Sequence, residues 1–595
     1  MAVMRMSRLP SSTRQISSYS SVSSEALLAR FFQVCQLLTF FSVLVSAVLT
    51  LFLHVSWISF VPIVVLRAVP LFLALIVIVL FRKTNVRLNY LPFPSGFAEF
   101  WARFVTSTVY AKAFAIYFLS ILLFFWSFGY QITDIGVTTR LLSGAYSLPK
   151  LNERYLYIKL VQFWTSAVFA AIHVGLDFDR LEFKLELTSL RAQKRISGKI
   201  GYMLSKSLVI SSAITVSAPV IYVVFRKLIW SISLTIARSF YTLHHVNSYS
   251  GFPIGLNMIL TTFVASFLIV FGWIFANVMF SVYMTLGPSY RSELISAKSN
   301  DKNGTLVTGL QAKHKQLIRM LAFLELVHIA INVKDRRVSI FADIDRKVSI
   351  WTQIKNETLG LVDDIIKPLE KIYKQQENKP KPVAVTSSVE VPAGASGIPA
   401  TPIAIKEKNI FARPSSKATI IDGLQDKNAL ASKEVIGVVQ AVKQKFHDTV
   451  KANTVYVQSL LESEMLYPLR FTISRRARQI IPNPSLTVVG VSALSALVCH
   501  SIEDDQYGMV QKDIASILDH LVDAHRMLRK FIDTPPVHWS NPHEKVDSKR
   551  DLADVLQVLD AVDEAFTNIV HEFYDYLPSL GLSPKVIDVI NKRLN

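Results

Sequence analysis

The residues best placed to do chemistry are Cys499 and His500, which stand side by side with Asp504 and Asp505 a turn further on. Thiol, imidazole and carboxylate can form a nucleophile, a base and its orienting group, provided the base reaches the nucleophile. Adjacent residues on a helix point about 100° apart, so this thiol and imidazole diverge. A Cys in an apolar helix is ordinary core. His244-His245 lacks companion ligands, and Arg67, Lys159 and His173 are isolated cations in apolar runs. An ion or substrate path would need acidic or polar partners for them. There is no P-loop, dinucleotide fingerprint, zinc-ligand spacing or nucleophile elbow. The sequence therefore predicts no catalytic, cofactor-binding or metal-binding residue, and no cofactor.

The elements carrying these residues are set by composition. Of 595 residues, 51% are hydrophobic and only 18% charged, with a mean hydropathy of +0.36. A soluble domain carries about a quarter charged residues, so disordered, collagenous and ordinary soluble enzyme classes fit poorly. The net charge of +20 is unevenly spread: residues 1–290 hold 24 Lys/Arg against 8 Asp/Glu, residues 291–595 hold 40 against 36. Basic excess in the apolar half is the mark of membrane-flanking segments. A nucleic-acid patch would fall in the polar half, so no direct nucleic-acid partner is expected. The two cysteines, Cys35 and Cys499, offer no disulfide framework.

A span needs about 20 mainly apolar residues. Six stretches qualify: about 31–53, 59–81, 111–130, 157–176, 206–225 and 259–286. Arg67 costs the second about 2.5–3.5 kcal/mol, while 15 Leu, Ile, Val and Phe residues between Pro62 and Phe81 return roughly 0.3–0.6 each. The span survives, and Arg67 is expected to snorkel toward the short loop at 54–58. Residues 1–30 form a polar, Ser-rich tail without a cleavable signal. Lys and Arg number 15 on the side of Arg5, Arg82 and Arg195, and 6 on the side of Arg140 and Arg226. Both termini are thus expected on the cytoplasmic side. The uncharged stretch Ser239–Tyr290 is read as a lumenal interfacial segment leading into the sixth span.

From 291 the sequence is charged and helix-periodic, at about 309–332, 351–376, 432–465, 485–503, 507–532, 548–577 and 583–593. Domains are expected at 291–376 and 419–595, joined by a Pro/Ala/Val-rich linker at 377–418. The apolar run Leu486–Val498 is too short to cross a bilayer, and Ser485 is placed to cap its helix. In 466–481, Leu466, Leu469, Ile473, Ala477 and Ile480 share about 80° of a helical wheel, with Arg475 and Arg478 away from that face and Arg476 at its flank. Such a helix could lie on an anionic membrane; the plainer alternative is a packed helix with a solvated basic face. Leu181–Leu187 alternates with period two, which favours a short strand.

Three further groups of residues carry a resemblance. They are Ala322-Phe323-Leu324-Glu325-Leu326 with Arg336, Arg337, Phe341 and Asp343; Pro482-Asn483 with Ala493–Val498; and Asp504-Asp505-Gln506-Tyr507-Gly508. In this order, behind a six-span head opening with a tight hairpin, they resemble the NDC/Cut-type transmembrane nucleoporins over nearly the whole chain. The resemblance implies a mainly α protein: a polytopic six-helix transmembrane domain followed by a cytoplasmic or nucleoplasmic α-helical domain. It implies a non-enzymatic nuclear-envelope protein that anchors the pore scaffold, supports pore assembly and, in a fungus, helps insert the spindle pole body. The partners implied are nuclear-envelope lipids, scaffold nucleoporins, other pore-membrane proteins and spindle pole body proteins. The rival reading is a transporter or channel with a cytosolic helical regulatory domain, which would need ionisable residues facing one shared cavity.

Overall fold

A computed structural model describes residues 18–51, 57–128, 142–143, 150–184, 191–243, 254–290, 293–377, 471–536 and 551–594. Contacts divide the chain into one unit of 1–370, 471–538 and 542–595, and a second of 371–470 with 539–541. Of the second only the end of one helix is described. The expected linker, the helical pattern at 432–465, His244 and His245 lie outside the described residues.

The apolar half is built of long helices: α1 (Tyr19–Leu51), α2 (Trp57–Asn85), α3 (Gly96–Phe100), α4 (Thr108–Phe128), α5 (Glu153–Gly175), α6 (Ala192–Ser197), α7 (Ile200–Phe240) and α8 (Leu256–Met284). Uninterrupted helix is what hydrocarbon demands, since a backbone group without a partner has no water to turn to. Their outer faces are apolar: Phe40 is 67% exposed, Val216 72% and Leu256 74%, a surface suited to lipid rather than water. At about 1.5 Å per residue, the 33 residues of α1 reach about 50 Å, well beyond a hydrocarbon core of about 30 Å.

Polar contacts sort the helix ends into two groups. Arg30 near the start of α1 donates to the carbonyls of Leu286 (3.2 Å) and Gly287 just beyond α8. Arg82 at the end of α2 donates to Asn277 O and Ser281 Oγ near the end of α8. Arg103 before α4 donates to Val174 O at the end of α5, and Arg195 before α7 meets Thr285 after α8. At the opposite end, Arg226 pairs with Glu153 at the start of α5, and Ser127 near the end of α4 donates to Arg67 O near the start of α2. The six long helices α1, α2, α4, α5, α7 and α8 therefore run alternately up and down.

The remaining helices are α9 (Lys302–Leu310), α10 (Gln316–Asn332), α11 (Lys334–Ala342), α12 (Ile350–Glu377), α13 (Ile473–Ile480), α14 (Pro484–Asp504), α15 (Ile514–Asp533), α16 (Ala553–Glu572) and α17 (Pro584–Leu594). The expected single pattern at 309–332 is thus two helices, broken between Gln311 and Lys315. The described strands are two-residue antiparallel pairs, β1 (Leu142–Ser143) with β2 (Lys150–Leu151) and β3 (Ser289–Tyr290) with β4 (Glu293–Leu294). Residues 181–184 form no strand; Leu181 and Phe183 are buried while Glu182 and Lys184 are exposed, which explains the alternation in extended, singly bridged chain.

Among the described residues, seven helices are long and apolar enough to cross a membrane, the seventh being α14. It packs on α10 and α16, with Val489, Ala493, Leu494, Leu497 and Val498 each no more than 1% exposed. Its apolar surface is satisfied by protein, as expected for a domain core. Asn483, rather than the expected Ser485, caps it by accepting from Leu486 N. Pro484 takes the first helical position, where its missing N–H costs nothing, and this shifts the cap one residue upstream of the proline.

The start of α1 enters this helical layer. Tyr19 lies fully buried against Gly309, where an added Cβ would stand 2.7 Å from the Tyr19 ring and 2.8 Å from Ala322 Cβ. Gly309→Ala should destabilise the protein by about 1–3 kcal/mol through overpacking. In thermal unfolding of the detergent-solubilised full chain its midpoint should fall, while Gly201→Ala, with nothing within 4 Å, should leave it unchanged or raised.

Candidate functional site

The features that join the membrane helices to the helical layer cluster along one end of the bundle. Tyr19 OH donates to Glu325 Oε2 at 2.8 Å, and Glu325 Oε1 accepts from Ser296 N at 2.9 Å. Tyr19 N donates to Thr308 Oγ1 at 3.0 Å, and Glu25 pairs with Lys298 at 3.0 Å. Glu325 is fully buried. Burial raises its carboxyl above the ordinary range, opposed by the hydrogen bonds from Ser296 and Tyr19. A lone acid inside the apolar word Ala322–Leu326 was the sequence sign of a buried partner.

The word at 322–326 is wholly buried, Phe323 and Leu326 included. Arg337 Nε contacts Asp504 Oδ2 at 2.7 Å, with both side chains nearly inaccessible, and Arg337 Nη1 donates to Ala330 O at 3.2 Å. Two motif groups distant in sequence are thereby a single ion pair. Arg336 donates to Ser296 Oγ at 3.2 Å; Asp343 holds Arg346, which also reaches Asp301; Phe341 packs on Trp351. Pro482 O accepts from Tyr90 N at 2.8 Å. Tyr507 is exposed, and Gly508 turns the chain at φ +62°, a backbone conformation natural to glycine.

For α13 the structure departs from expectation. Leu466 and Leu469 lie outside the described residues, but Ile473, Ala477 and Ile480 are 2–5% exposed. The stripe expected to meet lipid is packed against protein. The arginines expected to face water or headgroups also have protein partners: Arg475 pairs with Glu99 at 3.2 Å, Arg478 lies 4.9 Å from the Tyr90 ring centre and 3.9 Å from Asp554, and Arg476 reaches Pro536 O at 3.5 Å. Arg180 covers Tyr90 at 3.8 Å. Wheel geometry finds an apolar face; it does not say whether lipid or protein covers it.

The isolated cations of the spans do not converge on one path. Arg67 is 5% exposed, its Nη1 3.5 Å from Thr50 Oγ1 in the last turn of α1, which leads into the short loop. Lys159 donates to Gln162. His173 is buried between Tyr117 OH (2.9 Å) and Asp179 Oδ1 (3.1 Å), an acidic partner from just beyond its own helix. Tyr117 OH in turn accepts from Asn277 Nδ2. The span cation most completely enclosed is Arg82, 1% exposed, which sequence reading placed merely at a span end. Among the described residues no group of three potential metal ligands occurs, and His500 Nδ1 contacts Ala496 O rather than Cys499.

The comparison that decides the family is a match of residues 25–590 to the model described as "Nucleoporin protein Ndc1-Nup". The chain belongs to the Ndc1-Nup nucleoporin family. Among curated relatives it is similar to "Nuclear envelope protein ndc1" of Schizosaccharomyces pombe, 26% identical over 455 residues and 74% of each chain. It is likewise similar to "Nucleoporin NDC1" of Chaetomium thermophilum, 26% identical over 542 residues, covering 82% of this chain and 81% of the relative. The family match runs through both the bundle and the helical layer.

Two measurements test these contacts. Arg337→Ala leaves the buried Asp504 carboxylate with only the exposed Lys334 at 3.7 Å and should cost about 3 kcal/mol; the paired Arg337→Met, Asp504→Leu should cost much less, both read as thermal midpoints of the full chain. Because the folded state raises the Glu325 carboxyl, it binds a proton more readily than the unfolded state, and protonation favours folding. The midpoint of the unaltered protein minus that of Glu325→Gln should therefore increase as pH falls from 7.5 to 5.

Proposed function

We propose that this nuclear-pore nucleoporin is an integral anchor of the nuclear-envelope membrane, holding the pore scaffold to the bilayer through its helical layer. The observation that carries the reading is the docking of Tyr19 on Glu325, supported by Arg30 on residues 286–287. The first span continues as one rigid helix into the layer, so a pull on the layer is delivered directly to the lipid-embedded bundle. The meeting of α1, near its start, with the chain after α8 supports an even number of crossings. The excess of flanking Lys and Arg on that side favours the cytoplasmic and nucleoplasmic face, where scaffold nucleoporins and, in a fungus, spindle pole body proteins would be within reach. Weak individual contacts suffice when a ring confines many copies to a plane. The reading gives no residue a catalytic part, in keeping with relatives named as nucleoporins.

A fluorescently tagged copy should mark a punctate nuclear rim; a plasma-membrane or uniform reticular pattern would contradict the reading. The sequons at Asn303 and Asn356 should remain unglycosylated, with no mobility shift on endoglycosidase treatment. Sugar at either would put the helical layer in the lumen.

A further inference from the structure

A cavity of the bundle opens at the end where Arg82 and Arg195 lie, between the last turns of α5 and α8 and the first turns of α7, with a volume of about 680 Å³. This is the size of a ligand site. Its rim holds Arg82, Arg180, Lys184, Arg195, Lys199 and Lys206 against two acids, Asp177 and Glu182. Glu182 pairs with Arg180 and Asp177 with Arg87 and Arg103. Among the described residues, Lys199 and Lys206 have no carboxylate within ion-pair distance. Arg82, almost wholly buried, leaves its Nε without a hydrogen-bond partner, and so does Arg195. The other nitrogens of both guanidinium groups are already hydrogen-bonded, so Arg82 and Arg195 add fixed positive charge behind the cavity while Lys199 and Lys206 are, among the described residues, cations left free of a carboxylate at its rim.

The walls change character along the helices. On α8 they run from Ile274 through Asn277 and Ser281 to Thr285, and on α7 from Ile210 to Lys206, with Phe169 and Ile172 of α5 on the apolar side. Next to Ile210, α7 exposes Val209, the kind of side chain that meets acyl chains. A soluble anion would use the cationic rim and leave the apolar depth unfilled. A molecule with a phosphate at one end and hydrocarbon at the other matches both. Basic pockets between membrane helices on the cytoplasmic side are suited to anionic headgroups.

We propose that this cavity is a binding site for an anionic phospholipid, its phosphate-bearing headgroup held by Lys199, Lys206, Arg195 and Arg82 and its acyl chain lying along Ile172, Ile210 and Ile274. The site binds the protein to the lipid composition of its own leaflet, in addition to the non-specific hold of the spans.

The test uses the full chain purified in detergent, with binding of phosphatidylserine and of phosphatidylcholine of identical acyl chains measured by native mass spectrometry. The unaltered protein should retain phosphatidylserine preferentially, and Lys199→Gln with Lys206→Gln should weaken that binding about 30-fold, from roughly 1 kcal/mol per cation. Lys227→Gln, the same charge change at the far end of α7, should not. Equal retention of both lipids by the unaltered protein, or undiminished phosphatidylserine binding by a double variant of normal thermal midpoint, would overturn the proposal. If the double variant unfolds, competition on the unaltered protein decides: displacement by glycerophosphoserine or inorganic phosphate as effective as by the whole lipid would mean a soluble-anion site and refute the lipid assignment, whereas displacement only by the whole lipid supports it.

Discussion

Glu325 is a carboxylate in the middle of the apolar run Met320–Val327, and its burial is tolerable only because Tyr19 and Ser296 both donate to it. That requirement ties the beginning of the membrane bundle to the middle of the helical layer across 306 residues of chain. Gly309 makes room for the aromatic ring, Thr308 takes the Tyr19 backbone amide, and Arg30 one end further along α1 fixes the chain leaving α8. Once these are in place, the layer is attached to a helix rather than to a flexible loop. The mechanical sense of an anchor depends on that rigidity.

A second set of contacts works the same way on the opposite flank of the layer. Tyr90, in the connection between α2 and α4, lies between Arg180 and Arg478, while Arg475 reaches Glu99. Guanidinium groups suit this position because they stack on an aromatic face and still use their in-plane donors on carboxylates. The basic helix α13 is therefore engaged on both faces, its isoleucines inward and its arginines on the loops of the bundle. Beneath it, Arg82, His173, Asp179, Tyr117 and Asn277 satisfy most of one another's polar groups, which lets charge persist among spans without marking a transport path.

Much of this was legible before any coordinates. Windows of apolar residues located all six long helices, because hydrocarbon imposes a length and a composition that few soluble segments share. The ends were less legible: α1 begins at Tyr19 and α7 runs on to Phe240, since a helix stops where its caps and packing stop, not where the bilayer does. The buried pair Arg337–Asp504 was present as two separate motifs, and the charge imbalance predicted which helix ends lie together. The cap at Asn483 was missed because a following proline makes Asn an equally good start, and the apolar face of Ile473, Ala477 and Ile480 could be read as meeting either lipid or protein because the two are equally apolar.

The linear chain by itself determined that this protein is helical and membrane-spanning, how many long apolar helices precede the polar part, and which side of the bundle is basic. These follow from transfer free energy and backbone hydrogen bonding, which act on local windows of residues. The tertiary structure decided which charges are partnered: that Glu325 faces Tyr19, that Arg67 reaches Thr50, that the arginines of α13 grip the bundle, and that Lys199 and Lys206 border a cavity instead of a carboxylate. Such pairings join residues nearly four hundred positions apart, and their energies depend on distances of a few ångströms that no local window contains.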